Sequence, residues 1–123
     1  MRPSVLALGL DPIYADYTQM PGLTPESVRA FIDSQIERVR GLGYDVVSCL
    51  VDTGASAEMV TARRLAERSY DCVVIGAGLR AQPLLQLFER LLNLVHTMAP
   101  HAKICFNTTP KDTAEAVQRW LPA

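Results

Sequence analysis

Short, nearly continuous apolar runs alternate along this chain with longer segments of helical periodicity. The runs are residues 5–10 (VLALGL), 45–51 (DVVSCLV), 72–75 (CVVI) and 102–106 (AKICF), each bounded by Gly, Asp or Asn. Runs this short, apolar at successive positions, are how strands covered on both faces read. The first helical segment opens at Thr24, with Pro25 at the first helical position and Glu26 in the first turn. These three residues cap, pre-shape and electrostatically complement a helix start. Val28, Phe31, Ile32, Ile36, Val39 and Leu42 keep its spacing, and Gly41 and Gly43 supply the stop. Ser56 is placed to cap a second helix with an inner face of Met59, Val60, Ala62, Leu65 and Ala66. A third helix runs from about Gln82 and Pro83 to Met98. The fourth opens on Thr109, Pro110, Lys111 and Asp112, a capping-box pattern, and packs Val117, Trp120 and Leu121.

Strands that alternate with helices of this length pair in parallel through crossovers. The expected fold is a single α/β domain over residues 1–123, a three-layer α/β/α sandwich around a four-stranded parallel sheet. Two strand orders are open. Order 2-1-3-4 puts the first and fourth helices on one face and the second and third on the other. It covers both faces evenly and is preferred to the half-Rossmann order 3-2-1-4.

Composition narrows the partners. The net charge is −1, and no run of Lys or Arg forms the stripe that a nucleic acid or an anionic membrane would require. No stretch approaches the ~20 apolar residues of a membrane span. The apolar residues 5–10 end at Asp11 and Pro12, too early for a secretory signal. Cys49, Cys72 and Cys105 lie in or at the start of apolar runs, without metal-ligand or redox spacing. They read as buried thiols of a reducing, cytoplasmic compartment, with no metal site. His96 and His101 fall at the edge opposite the strand tips, so neither joins a Ser-His-Asp or metal constellation.

Open parallel sheets bind ligands beyond the carboxyl ends of their strands, where the strand order reverses. Four loops emerge at that edge. Residues 11–23 form a loop far longer than the typical ~2–6 residues, offering Asp11, Tyr14, Asp16 and Tyr17. Asp52, at the end of the second run, is open to two roles. It is a general base, metal ligand or ribose contact, or it only binds neighbouring amides. Gly76, Gly78 and Arg80 follow the third run in a G-x-G-x-x-A pattern. Glycines let an anion approach the backbone at a helix start, and Arg80 adds a bidentate donor. Asn107, Thr108 and Thr109 either hold a phosphate or carboxylate beside Lys111 or serve only as a cap.

The run from Val73 to Gly78 resembles the nucleotide fingerprint of flavoproteins and dehydrogenases. It stands on the third strand of the chain rather than the first, and the next strand ends on Asn107 where that motif places an acid. Residues 73–80, 87–96 and 105–120 look like segments of a group of small uncharacterised bacterial and fungal proteins. That resemblance covers mainly the second half of the chain. It implies a Rossmann-like or flavodoxin-like domain and carries no activity or cofactor.

Three functions stay open. The first is binding of a small anionic or nucleotide-like ligand through Gly76, Gly78, Arg80 and the Asp11 loop, in a pocket between the 11–23 and 76–81 loops. The second is a small enzyme using Asp11 or Asp52 as acid–base. The third is a non-catalytic homo-oligomer. Apolar residues of the third helix, from Leu84 to Met98, spread over roughly 180°, where a helix that only covers a sheet needs ~100°.

Overall fold

Four parallel strands form one sheet in the computed structural model, which describes residues 2–122. They are β1 (Ser4–Leu10), β2 (Asp45–Val51), β3 (Cys72–Ile75) and β4 (Lys103–Phe106), in the order β2-β1-β3-β4. The helices are α1 (Pro25–Gly41), α2 (Ser56–Glu67), α3 (Leu85–Met98) and α4 (Thr113–Trp120). The preferred of the two expected orders is the one formed.

Side chains alternate across each strand, so every strand feeds two cores. Leu6, Leu8, Cys49, Val73 and Ile75 point to the layer of α2 and α3, where they meet Ala57, Leu65, Leu87, Leu91 and Val95. Val5, Val46, Cys72, Val74 and Cys105 point to the layer of α1 and α4, where they meet Ile36, Val39, Ala114 and Val117. Tyr44 is fully buried in this second core, its hydroxyl donating to the Leu121 carbonyl.

Local chemistry explains where the helices begin and end. Thr24 caps α1: its hydroxyl accepts from the Ser27 amide, and the Ser27 hydroxyl accepts from the Thr24 amide. Gly43 takes a φ of +105° just beyond α1, a conformation open to glycine at no steric cost. Ser56, expected to cap α2, is instead its first helical residue and donates to Asp52. The carboxylate of Asp52 also accepts from the Gly54 amide, and so organises this turn in place of the hydroxyl.

The inner stripe of α2 also differs from the expected one: it is Ala57, Thr61 and Leu65, while Met59 is 60% exposed and Ala66 is exposed. Thr61 is buried at little cost because its hydroxyl donates to the Ala57 carbonyl, a self-satisfaction invisible to a count of apolar positions. Gln82 and Pro83 do not open α3. Ala81 is extended, Gln82–Leu84 forms a separate 3-10 turn, and α3 starts at Leu85. A 3-10 turn at Pro110–Asp112, capped by Thr109, likewise precedes α4. On α3, Phe88 meets Phe106 edge-on at 5.7 Å and Leu92 packs against the core, leaving Leu85 56% exposed. Trp120 is half exposed beneath the Lys103 ammonium rather than packed in the core.

Candidate functional site: a cleft under α1

On the α1 side, the residues of β1 shrink towards its carboxyl end, from Val5 to Ala7 to Gly9. Ala7 lies in register between Ser48 and Val74, and Gly9 beside Leu50. Gly76 follows β3 directly, and a Cβ there would come within 3.7 Å of Gly9 Cα. The carboxyl half of this face is therefore a floor of mostly small residues.

Above it, α1 changes in burial along its length. Ile36 and Val39 are buried against Val46 and Tyr44, whereas Val28 and Ile32, nearer the helix start, are only half-buried. The helix seats on large residues at one end and spans small ones at the other. The space left is a cleft of about 810 Å³, within the ~300–1,000 Å³ of ligand pockets. Its floor is Ala7, Gly9, Ser48 and Gly76. Val28, Phe31, Ile32 and Gln35 of α1 line another side, with Tyr17, Met20 and Leu23 of the long loop and residues 107–110 completing it. Among the described residues, no Lys, Arg, His, Asp or Glu lines it.

The cleft lies at the carboxyl edge, beside the switch between β1 and β3. It brings together the 11–23, 76–81 and 107–110 loops. Of the residues singled out from sequence, Tyr17, Gly76, Gly78, Asn107, Thr108 and Thr109 line it, whereas Asp11, Tyr14, Asp16, Asp52 and Arg80 do not. Asp11 accepts from the Ile13 amide at 3.1 Å and from Arg29 at 2.6 Å. The Ile13 amide first, and Arg29 with it, hold the Asp11 carboxyl below its ordinary range. Asp16 is lowered by the Thr18 amide, and Asp52 by the Ser56 hydroxyl and then the Gly54 amide. These carboxylates are ionised and engaged in turns, the reverse of the raised pKa that suits a carboxyl to acid–base work near neutrality. No group of three or more His, Cys, Asp or Glu among the described residues is arranged to hold a metal ion.

The glycines act by close approach. Neither Gly76 nor Gly78 has a positive φ, but a Cβ on Gly78 would come to 3.2 Å from Leu10 Cβ. Arg80 turns away from the cleft. Its Nε donates to the Ile75 carbonyl at 3.0 Å, a terminal nitrogen donates to the Asn107 carbonyl, and its guanidinium lies 4.9 Å from the Phe106 ring centroid. Asn107 is 6% exposed: its Oδ1 accepts from the Ala77 amide and its Nδ2 donates to Thr113, both at 3.0 Å. It thus ties the loop after β3 to α4. The Ala77 amide is occupied and α3 begins only at Leu85, so the glycines do not open directly onto the amides of an α-helix start.

Sequence reasoning passed over Ala7, Gly9, Gln35 and Ser48. The available signal was size rather than polarity, in the Val-Ala-Gly descent along alternate positions of β1. No protein-family model matches the chain, and no curated protein matches it. No helix among the described residues is long and apolar enough to cross a membrane.

Proposed function

We propose that this protein binds a small molecule in the cleft under α1, and that the ligand is mainly apolar. The lining carries the reading: a ligand-sized space at the switch-point edge, walled by aliphatic and aromatic side chains and lacking any ionisable one except the Tyr17 phenol. This shifts the expected ligand class. An anionic or nucleotide-like ligand would need a counter-charge, and Arg80, the residue expected to supply it, is committed to main-chain carbonyls.

Nile red, a neutral dye that fluoresces in apolar surroundings, tests the reading. Ala7→Leu places a larger side chain in the floor, and should weaken dye binding by about tenfold or more, equivalent to ~1.4 kcal/mol or more. Its unfolding midpoint should be unchanged or raised, because the added atoms enter open apolar space. Equal dye affinity in both proteins would remove the cleft as the binding site.

A further inference from the structure

Taking the cleft as the ligand site, we infer that it selects uncharged ligands and that Gln35 and Ser48 orient them by hydrogen bonding. The other polar side chains of the lining are already engaged. Tyr17 donates to the Pro12 carbonyl at 2.7 Å, Ser27 is held in the cap of α1, and Thr113 donates to the Pro110 carbonyl at 2.7 Å. Asn107 is held by Ala77 and Thr113, the Thr108 hydroxyl donates to Asp112, and the Thr109 hydroxyl accepts from the Lys111 amide.

Gln35 and Ser48 differ from all of these. Both line the cleft, both are half-buried, and neither makes a side-chain hydrogen bond among the described residues. Ser48 stands in the floor beside Ala7. Gln35 continues the helical stripe of Val28 and Ile32 at the i, i+4, i+7 spacing of one helix face. Ser48 is also the polar residue in an otherwise apolar stretch of β2, between Val46 and Leu50 on the α1-facing side.

A hydroxyl and a primary amide each donate and accept. Together they can satisfy a ligand amide, carbonyl or hydroxyl without supplying charge. A carboxylate or phosphate entering the same space would lose hydration and gain no cation. The ligand class is therefore a neutral apolar body with one hydrogen-bonding group.

The test uses the full chain and displacement of Nile red by three matched probes at neutral pH: naphthalene, 2-naphthamide and 2-naphthoate. 2-Naphthamide should displace the dye at about three- to tenfold lower concentration than naphthalene, the value of one net neutral hydrogen bond. 2-Naphthoate should be the weakest. Ser48→Ala and Gln35→Met should each reduce the advantage of the amide over naphthalene, measured as the ratio of their displacing concentrations within the same variant. Their melting temperatures should stay close to that of the parent, and Gln35→Leu provides a second replacement should Gln35→Met fail to fold.

Equal displacement by amide and hydrocarbon overturns the inference, as does preference for the carboxylate or an amide advantage that survives in both variants. In each of those cases the cleft itself stands. If Nile red does not bind, or binds equally to Ala7→Leu, the cleft reading fails and this inference falls with it.

Discussion

The two faces of the sheet are built from the same strands, yet they use their carboxyl halves differently. Towards α2 and α3, β1 presents Leu6 and Leu8 and β3 presents Val73 and Ile75, each 2% exposed or less. Leu79, from the loop after β3, is fully buried in the same core. Towards α1 and α4, those strands begin with Val5, Cys72 and Val74, but β1 then gives Ala7 and Gly9, and Gly76 follows β3. Along the central strands, one face is filled through Leu8 and Ile75, and the other gives way to small residues beyond Val5 and Val74. Close packing is what makes a core residue costly to truncate. The packed regions thus hold the fold, leaving the hollow end free for shape and recognition.

Neighbouring residues on β1 give the largest expected contrast. Leu8→Ala removes a side chain from the filled face and should destabilise by about 2–5 kcal/mol in chemical denaturation. Ala7→Leu, one residue earlier, should range from neutral to a gain of about 1 kcal/mol. Equal losses in the two variants would mean that the space under α1 is as tightly packed as the opposite face, and the comparison would collapse.

Arg80→Ala sharpens the boundary between the two regions. The side chain holds the carbonyls of Ile75 and Asn107 at the tips of β3 and β4, outside the cleft. Its loss strips two carbonyls of charge-assisted partners and should cost about 1–3 kcal/mol, with little change in Nile red affinity. A variant of unchanged stability that loses affinity for phosphate or carboxylate would return Arg80 to the ligand-binding role that its place after Gly76 and Gly78 suggests.

What sequence disclosed, and what it hid, follows the same division. Strand positions, the Thr24 cap and the sheet order rest on local patterning and on the need to cover two apolar faces, so they were legible. The inner stripe of α2 was misread because Thr61 satisfies its own hydroxyl. The roles of Arg80 and Asn107 were hidden because their partners, main-chain groups and Thr113, are set by the fold. The cleft was hidden for a further reason. Reading the runs as apolar on both faces treats Gly9 and Ala7 like Leu8 and Leu6, and only their size distinguishes a filled face from a hollow one. The three loops at the switch point were legible as a place, but not the chemistry of their lining.

The smallest expected effect concerns the helix layer above the hollow face. Arg38 of α1 grips Glu115 of α4 with two bonds, at 2.9 and 2.8 Å, joining the two helices across their exposed surface. Hydrogen bonding and charge from Arg38 draw the Glu115 carboxyl down from an ordinary 4.5 to about 2. A carboxyl with a lower pKa in the folded chain stabilises it fully above the unfolded value, and that contribution disappears as pH falls towards the folded one. The window is therefore pH 4.5 down to about 2. Asp11, Asp45 and Asp52, held low by the Ile13 amide, Arg68 and the Ser56 hydroxyl respectively, act with the same sign. Because the Arg38–Glu115 pair is about half exposed, solvent and salt screen it and its share is small. In urea titrations, Glu115→Gln should shallow the fall in stability below pH 4.5 slightly, and more so at low salt. At neutral pH its midpoint should sit only slightly below that of the parent. If the acid slope of Glu115→Gln matches the parent at every salt concentration, the α1–α4 tie adds nothing. The fall in stability below pH 4.5 would then rest on the other lowered carboxyls, Asp11, Asp16, Asp45, Asp52 and Asp112 among them.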